Sequence, residues 1–343
     1  MIKVACLGAG YFSQFHLDGW RRLDGVSLVG ISDLDKARAT ATGLPAYNDV
    51  TQLLAETAPD ILDIITPPSG HAAAIRSALA AGVKAIICQK PFCASHGEAR
   101  EMAALAEQYK IPLVVHENIR FQPWYRVIKS AIDAGAIGTP LQGTFRLRPG
   151  DGQGPDAYLA RQPYFQKMDR FLVHETAVHW IDTFRFLFGD PEAVYADLRR
   201  VNPAIMGEDA GVILFDHPSG VRTLFDGNRH LDHAATNTRC TMGEGLFEGT
   251  EGSLSLHGDG SVKLRPFGST AEKTILSPNS SSNFGGDCTF YLQEHVVKAF
   301  TNDFPLENQA ANYLTVQNIE AAVYASAKTR SKLKITRNGN DHR

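Results

Sequence analysis

Short apolar runs alternate with helix-like stretches through the first third of the chain, and this alternation constrains the fold more than any other feature. Strands are predicted at 2–7, 26–31, 61–65, 83–88 and 112–115. Helices are predicted between and around them at 11–23, 35–42, 51–56, 71–81 and 95–109. Strands that are rich in Ile and Val on both faces require a parallel sheet with helices on both sides. With right-handed crossovers, the pattern predicts a doubly wound α/β domain.

The pattern changes near residue 120, where strands begin to dominate. After a helix at 122–135, many strands alternate apolar and polar residues, as antiparallel strands with one solvated face do. These strands are predicted at 141–147, 193–201, 211–215, 221–225, 239–244, 252–256 and 261–264. Further helices are predicted at 170–188, 287–301 and 313–328. We therefore expect a first domain at 1–122, a second α/β domain at 123–336 and a polar tail at 337–343.

The composition argues against several classes of protein. The 343 residues include 34 Lys and Arg against 37 Asp and Glu, and a net charge of −3 argues against a nucleic-acid partner. No apolar run approaches the ~20 residues that span a bilayer, so we expect no membrane partner. The five cysteines include no C-x-x-C pair, which argues against a zinc ribbon. The chain begins in an apolar strand without a secretory apolar core, and we expect a cytoplasmic location.

A glycine-rich turn joins the first predicted strand to the first predicted helix. Residues 8–13 read GAGYFS, which is G-x-G-x-x-G with serine in the third place. Two glycines let the backbone approach a pyrophosphate closely, and the helix N-terminus then receives its negative charge. This setting predicts that Gly8, Gly10, Tyr11 and Phe12 contact a dinucleotide. The alternative is a plain glycine turn.

An acidic residue indicates which dinucleotide this is. Asp33 ends the second predicted strand, 23 residues after Gly10. A carboxylate at that place accepts the ribose hydroxyls and repels a 2′-phosphate, which predicts NAD rather than NADP. Lys36 and Arg38 lie close enough in sequence to keep use of both cofactors open.

The end of the strand at 61–65 adds three candidate cofactor contacts. Thr66 and Pro67 begin a rigid loop, which either meets the ligand at the carboxyl edge of the sheet or only starts the next helix. His71 follows at that helix start. It either approaches the cofactor or is a capping or surface histidine.

A lysine follows the predicted strand at 83–88, in the sequence Gln89-Lys90-Pro91. A lysine at the carboxyl end of a parallel strand points into the crevice where a nicotinamide ring would lie. There it can hydrogen-bond a substrate hydroxyl. We count Gln89 and Lys90 among the cofactor contacts. The alternative is an exposed lysine at the end of a strand.

A second set of polar residues lies in the predicted helix at 170–188. Glu175 and His179 are four residues apart and therefore share a face, and Asp182 follows His179 by three. A carboxylate that orients an imidazole is an ordinary arrangement for a general base. The motif H-E-x-x-H is absent and two ligands are too few for zinc, so we expect no metal. The alternative is a structural pair inside a packed helix.

Donors and aromatic side chains are dense in two further stretches, 116–126 and 150–165. The first follows the last predicted strand of the parallel sheet, so its polar side chains are expected to face the cleft, with Asn118 also contacting the cofactor. Its aromatic residues either meet the substrate or belong to the core. The second stretch predicts either a mobile loop over the site or a plain surface turn. We assign to the substrate the side chains of Asn118, Arg120, Trp124, Asp151, Tyr158 and Arg161.

Together these motifs resemble the Gfo/Idh/MocA oxidoreductase family. The resemblance rests on the turn at 8–13, the Q-K-P at 89–91 and the E-x-x-x-H-x-x-D at 175–182, and it covers nearly the whole chain. It implies an N-terminal Rossmann domain followed by an α/β domain with an open, mainly antiparallel sheet. That sheet face commonly forms dimers or tetramers in the family, which implies a homodimer or homotetramer here.

The resemblance also implies roles for single residues. Lys90 matches the family's catalytic lysine and His179 its catalytic histidine. Glu175 stands where the family usually has Asp, and Gln89 replaces a common Glu. We expect His179 to take a hydroxyl proton while Lys90 hydrogen-bonds the same oxygen, or the reverse, with Glu175 binding a substrate hydroxyl or orienting the base.

The substrate implied is a neutral sugar. Few lysines cluster near the substrate stretches, which argues against a sugar phosphate. The stretches 88–92, 116–126, 150–165 and 174–184 are similar to bacterial D-apiose dehydrogenases of this family, which implies oxidation of an aldose to a lactone. The alternatives are an inositol or polyol dehydrogenase, a glycosidase with tightly held NAD, and a non-catalytic NAD sensor.

Overall fold

The computed structural model describes residues 1–279, 283–302 and 304–336, and it divides the chain into two units. Met1–Asn118 and Thr289–Leu314 form the first unit, and Ile119–Cys288 and Thr315–Arg343 form the second. The first unit therefore ends before the expected boundary at residue 122. The second expected domain is not one continuous segment, because part of it joins the first unit. The tail expected at 337–343 lies outside the described residues.

A parallel sheet of six strands forms the centre of the first unit. The strands are β1 (Ile2–Leu7), β2 (Val26–Ser32), β3 (Ala46–Tyr47), β4 (Ile61–Ile64), β5 (Ala85–Gln89) and β6 (Leu113–His116). They lie in the order β3-β2-β1-β4-β5-β6, and all neighbours run parallel. Every residue of β4 and β5 is buried, as strands covered on both faces must be. The doubly wound sheet is confirmed. Of its six strands, only the two-residue β3 was not predicted from the sequence.

Five helices connect these strands. They are α1 (Ser13–Arg22), α2 (Lys36–Ala41), α3 (Val50–Thr57), α4 (His71–Ala81) and α5 (His96–Tyr109). α5 begins with a reciprocal cap, because the Ser95 side chain accepts the N–H of Glu98 and the Glu98 carboxylate accepts the N–H of Ala94. All five predicted helices are present.

A sheet of nine strands forms the second unit, together with the helices α6 (Pro123–Asp133) and α7 (Val178–Phe188). The strands are β7 (Pro140–Leu147), β8 (Ala193–Arg199), β9 (Ala210–Asp216), β10 (Arg222–Asn228), β11 (Gly243–Gly249), β12 (Gly252–Leu256), β13 (Val262–Pro266), β14 (Lys273–Leu276) and β15 (Leu333–Lys334). Their order is β14-β13-β12-β11-β7-β10-β9-β8-β15. Neighbours are antiparallel except β7 and β10. The mainly antiparallel sheet is confirmed.

Two predicted elements of this unit differ from the structure. The strand predicted at 239–244 is wrong, because the chain turns there and β11 begins only at Gly243. Met242 has a φ of +59°, which a strand does not accommodate, and a Cβ on Gly243 would overlap the carbonyl oxygen of Arg146. The helix predicted at 170–188 is two elements, a π-helix at Leu172–Ala177 and then α7.

The chain returns to the first unit through α8 (Cys288–Asn302) and the start of α9 (Ala310–Thr329). Gln293 on α8 is fully buried and donates a hydrogen bond to the carbonyl of His16 at 3.0 Å. Asn308, just before α9, donates to the carbonyl of Glu117 at 2.7 Å and accepts the N–H of Val115 at 2.9 Å. These contacts place the segment in the first unit. Within the described residues, every helix is too short or too polar to cross a membrane.

Candidate active site

The glycine turn after β1 has a backbone that only glycine adopts readily at its first position. Gly8 has a φ of +107°, and a Cβ there would lie 2.9 Å from the carbonyl carbon of Ile65. At Gly10, no described atom lies within 4 Å of the place where a Cβ would stand. The Ser13 hydroxyl donates to the Gly10 carbonyl at 2.7 Å, so the serine closes the turn. Open backbone at the N-terminus of α1 is what a pyrophosphate requires.

The Asp33 carboxylate lies beside this turn. One of its oxygens accepts the N–H of Ala9 at 2.7 Å, and the other accepts the N–H of Asp35 at 2.8 Å. These bonds fix the orientation of the carboxylate and leave it further lone pairs for other donors. A negative charge held there suits ribose hydroxyls. Arg38 lines the same pocket as Gly10, so use of NADP as well stays open.

The two aromatic residues of the turn differ in placement. Tyr11 is exposed and lines the pocket beside Gly10. Phe12 turns inward and packs on the rings of His16 and His116, with centroids 5.7 and 6.5 Å away. Cofactor contact by either residue stays a prediction.

His71 holds the turn after β4. Its Nδ1 accepts the N–H of Cys93 at 3.3 Å, so Nε2 carries the hydrogen and donates to the carbonyl of Thr66 at 2.8 Å. His71 is fully buried, and this burial lowers its pKa, which keeps the ring neutral. Both ring nitrogens are occupied, so the structure gives His71 a structural role in place of the predicted cofactor contact. The contacts of Thr66 and Pro67 with the cofactor stay predictions.

Lys90 follows β5 directly and is half-buried at the carboxyl end of the parallel sheet. Gln89 before it is 7% exposed and turns its side chain inward. The Gln89 amide oxygen accepts the N–H of Lys90 at 3.0 Å, and the amide nitrogen lies 2.9 Å from Nε2 of His16. Asn118 is also buried, and its amide donates to the hydroxyl of Thr289 at 3.3 Å. The cofactor and substrate contacts of these residues stay predictions.

Glu175 and His179 lie in neighbouring elements of the second unit. Glu175 belongs to the π-helix, and His179 lies in the first turn of α7. His179 is 8% exposed, and the Trp180 ring stands edge-on to it with a centroid distance of 6.4 Å. A π-helix is rare and is frequent at functional sites, because its wider turn shifts the side chains that follow. The arrangement is compatible with the predicted acid–base pair and does not test it.

Asp182, which we expected to orient His179, is bound by a guanidinium. Arg120 donates to both carboxylate oxygens, at 2.6 Å from Nε and 2.5 Å from Nη2. Asp182 is buried, and the guanidinium carbon lies 5.2 Å from the ring centre of Phe186. Arg120 therefore neutralises a buried carboxylate, and its contact with substrate stays a prediction.

Trp124 is not available to a substrate, and that prediction is wrong. The side chain is 0% exposed, and its indole N–H donates to the amide oxygen of Gln122 at 2.8 Å. Gly260 and Gly286 lie so close to the ring that a Cβ on either would stand 2.9 Å or less from it. Trp124 belongs to the core of the second unit.

Asp151, Tyr158 and Arg161 come together around Arg229, which the sequence analysis did not single out. Arg229 is buried and donates to Asp151 at 2.8 Å, to the Tyr158 hydroxyl at 2.7 Å and to the Thr176 hydroxyl. Arg161 donates to the same Asp151 oxygen at 3.2 Å. The loop, for which the sequence predicts either mobility or a plain surface turn, is therefore held by an ion pair to Arg229, which in turn donates a hydrogen bond to Thr176 of the π-helix. Substrate contacts by the three predicted residues stay predictions.

Tyr164 is a further aromatic residue near Glu175. The residue is 54% exposed, and its hydroxyl accepts a hydrogen bond from the Gln162 amide at 3.2 Å. Partial burial and, after it, the negative charge of Glu175 raise the pKa of Tyr164 to about 12. An exposed ring beside a carboxylate offers a sugar both an apolar face and a hydrogen-bond acceptor. The sequence signal is the aromatic pair Tyr164-Phe165, which follows the glycines of this loop.

No group of three or more His, Cys, Asp or Glu side chains in the described parts of the chain is arranged to hold a metal ion.

Known families and proteins match both units. The model of the Gfo/Idh/MocA oxidoreductase family, NAD-binding Rossmann fold, matches residues 2–117, and the Gfo/Idh/MocA C-terminal domain matches residues 125–255. A D-apiose dehydrogenase of Paraburkholderia graminis is 37% identical over 283 residues, which are 80% of this chain and 73% of that protein. The D-apiose dehydrogenase of Rhizobium rhizogenes is 36% identical over 230 residues, 66% of this chain and 65% of that protein.

More distant similarities include a named inositol dehydrogenase and an oxidoreductase of known structure. Inositol 2-dehydrogenase 3 of Saccharopolyspora erythraea is 28% identical over 234 residues, 64% of each chain. An oxidoreductase of Agrobacterium radiobacter, solved in complex with NAD+, L-tartaric acid and magnesium, superposes with a TM-score of 0.88 at 28% identity. That superposition covers 97% of this chain and 98% of the other.

Proposed function

Because this chain belongs to the Gfo/Idh/MocA oxidoreductases, whose first domain binds NAD, we propose that it is a sugar dehydrogenase that oxidises a neutral aldose, with D-apiose as the substrate. The observation that carries the proposal is the similarity, at 37% identity, to a D-apiose dehydrogenase. The product of oxidation at the anomeric hydroxyl of an aldose is a lactone.

The residues of the first unit fit NAD. The open backbone at Gly10 and the N-terminus of α1 would receive the pyrophosphate, and the Asp33 carboxylate would accept the ribose hydroxyls. NAD, when bound, accepts a hydride from the substrate carbon. Asp33 disfavours a 2′-phosphate by charge, so we propose NAD as the preferred cofactor.

We assign the proton transfer to two side chains. A neutral His179 takes the proton of the substrate hydroxyl, while the Lys90 ammonium donates a hydrogen bond to the same oxygen and stabilises its growing negative charge. The reverse assignment, with Lys90 as base and His179 as donor, is the alternative. Glu175 accepts a hydrogen bond from another substrate hydroxyl or orients His179.

An inositol or other polyol is the second candidate substrate, favoured by the similarity to inositol 2-dehydrogenase 3. Both candidates need several directional hydrogen bonds and no phosphate-binding cations. They differ in whether the oxidised carbon bears a ring oxygen.

NADH formation on a panel of purified sugars tests the substrate assignment. The panel holds D-apiose, other aldopentoses, aldohexoses, cyclitols and aryl glycosides, each with NAD. We expect D-apiose to give the highest kcat/KM and a lactone product. Turnover of cyclitols without any aldose would assign the second candidate instead. Glycoside cleavage without net NADH would indicate a glycosidase, and NAD binding without any turnover would indicate a sensor.

Two alanine variants test the acid–base assignment. Lys90→Ala and His179→Ala should each lower kcat by about 10²- to 10⁴-fold, the usual contribution of a positioned acid or base. The dissociation constant for NAD should change little, because the pyrophosphate and ribose contacts are retained. Lys298→Ala and His257→Ala are matched controls and should keep normal turnover. Near-normal kcat in both active-site variants would overturn the assignment.

We propose that the chain assembles as a homodimer or homotetramer through the open face of the nine-stranded sheet. One row of paired positions crosses β8, β9, β10, β7 and β11 and carries Tyr195, Leu214, Leu224, Thr144 and Leu246, all of them partly exposed. Four of the five side chains in this row are large and largely apolar, and partly exposed apolar side chains that lie together on a surface are a common interface signal. The mass in solution, measured by light scattering, should exceed the 37.4 kDa of one chain. A cytoplasmic location is part of the same proposal.

A further inference from the structure

A network of hydrogen-bonded, buried polar side chains extends from β4 to the backbone of Lys90, and the proposed proton transfer does not use it. The network consists of Asp63 on β4, His16 on α1 and Gln89 at the end of β5, all in the first unit. Asp63 and His16 are fully buried. The indole N–H of Trp20 donates a hydrogen bond to a carboxylate oxygen of Asp63 at 2.7 Å. Burying a polar group costs folding free energy unless the group is hydrogen-bonded, so the partners of these side chains indicate the role of the network.

Groups that can only donate fix the direction of each hydrogen bond. The backbone N–H of Lys90 donates, so the atom of Gln89 that lies 3.0 Å from it is the amide oxygen. The amide nitrogen, itself a donor, therefore faces Nε2 of His16 at 2.9 Å, which must accept. Nδ1 of His16 then carries the hydrogen and donates to Asp63 at 2.7 Å. This arrangement requires a neutral His16.

The groups that surround His16 are consistent with this state. The ring of His116 on β6 lies 4.1 Å from the His16 ring, and its Nδ1 is 3.3 Å from the same amide nitrogen. Cys6 on β1 is paired with Asp63 in the sheet, whereas Cys88 on β5 is paired with Ile64 and points to the other face, and burial is the main reason that the pKa of both thiols is raised. The two thiols therefore add no negative charge.

We propose that Gln89 is a positioning residue for Lys90. Its amide, held by neutral His16 and through it by Asp63, fixes the peptide group of Lys90 at the end of β5. An amide meets both demands at once, because it accepts from Lys90 N–H and donates to His16 without taking up a proton. The inference rests on the catalytic role proposed for Lys90.

A carboxylate at position 89 would make this support depend on pH. It can accept the N–H of Lys90, but it has no hydrogen for Nε2 of His16, which is also an acceptor. The two groups can approach only if the carboxyl–imidazole pair takes up one proton, and the pair titrates as a unit. The second carboxylate also joins Asp63 in the same buried group, so release of the proton as pH rises leaves two like charges there.

The pH profile of kcat for Gln89→Glu therefore tests the proposal, with Gln89→Met as its matched control. At the acid end of the profile, kcat of Gln89→Glu should approach the wild-type value, and with rising pH it should fall to about one tenth to one hundredth of it, as expected for a displaced catalytic group. Gln89→Met cannot be rescued by a proton and should show the same deficit at every pH. Gln122→Glu, a buried carboxyl in the second unit, should follow the wild-type profile in shape. Parallel profiles for the two position-89 variants, or full activity in both, would overturn the proposal.

The protonation state of His16 gives a readout that needs no substrate. In ¹⁵N NMR spectra of the wild-type protein near neutral pH, His16 should be neutral with its hydrogen on Nδ1. A hydrogen on Nε2 would overturn the inference even if the enzyme oxidises sugars, whereas lack of turnover with a correct His16 signal would remove the proposed function alone. If Gln89→Glu fails to fold, the NMR state of His16 and the kcat of Gln89→Met decide the question.

Discussion

At Gly8 and Gly10, the absence of a side chain serves two different purposes. Gly8→Ala adds a Cβ at a φ of +107°, 2.9 Å from the carbonyl carbon of Ile65, so we expect both a lower melting temperature and weaker NAD binding. Gly10→Ala adds a methyl group where the described atoms leave open space, so it should weaken NAD binding and leave the melting temperature unchanged. Calorimetric titration and thermal unfolding measure the two effects. Wild-type NAD affinity in Gly10→Ala would remove Gly10 from the cofactor site.

The place of a single residue in the fold was predictable where its position along a strand determines its surroundings. Gly8, Asp33 and Lys90 each follow a strand of the parallel sheet, and the ends of such strands meet at one edge. Trp124 was not predictable, because an aromatic residue at a helix start can face either a ligand or the core. Asp63 did leave a signal, since it is a lone carboxylate inside an apolar strand, but its partners His16 and Gln89 are set by the fold.

The π-helix is an element that depends on distant residues. The Glu208 carboxylate accepts the N–H groups of Phe171 and Val173 at 3.2 and 3.1 Å, and Arg229 donates to the hydroxyl of Thr176. Glu208 lies 37 and 35 residues from those two amides, and Arg229 lies 53 residues from Thr176. Apolar spacing does not distinguish a π-helix from an α-helix, so the sequence predicts one continuous helix there.

Asp151→Asn should destabilise the second unit through the same cluster. The buried Arg229 would keep its charge and lose its carboxylate partner, which costs about 3 kcal/mol of unfolding free energy for a buried pair. Asp197→Asn, at an exposed ion pair with Arg199, is the control and should change the value by less than about 1 kcal/mol. Denaturant unfolding measures both. Equal effects of the two substitutions would contradict a structural role for the Asp151 pair.

The same carboxylate makes the second unit sensitive to acid. Burial alone would raise the pKa of Asp151, but the charges of Arg229 and Arg161 and the attached hydrogen bonds hold it below its ordinary value. A lowered pKa stabilises the fold above the unfolded-state value near ~4, and this contribution is lost as pH falls through the folded-state value. We therefore expect the unfolding free energy of wild type to fall below pH ~4, and Asp151→Asn to lose less over that range. Equal acid sensitivity of both proteins would contradict this.

At the scale of the whole molecule, the two units were predictable and the path of the chain between them was not. The switch from alternating strands and helices to antiparallel strands marks the start of the second unit. Residues 289–314 belong to the first unit through contacts such as that of Gln293 with His16, which are 277 residues apart in sequence. No periodicity in the sequence reports such a contact.

Gly19→Ala tests how tightly the returning segment is packed. A Cβ on Gly19 in α1 would overlap the amide oxygen of Gln293 and lie 3.3 Å from Cα of Phe290 on α8. We expect a loss of about 1 to 3 kcal/mol of unfolding free energy, although alanine favours helices more than glycine does. Gly97→Ala in α5 has free space around it and should be neutral or stabilising. Equal unfolding free energies for the two variants would show that α1 and α8 are not closely packed.

The return of α8 and the start of α9 to the parallel sheet also sets the order of events on the ribosome. Translation proceeds from the amino end, and domains usually fold in that order as they emerge. Here the nucleotide-binding half must wait for residue 314, after the whole antiparallel sheet except β15 has already been synthesised. The last part of that half to emerge is therefore the segment 289–314, which is translated after most of the second unit.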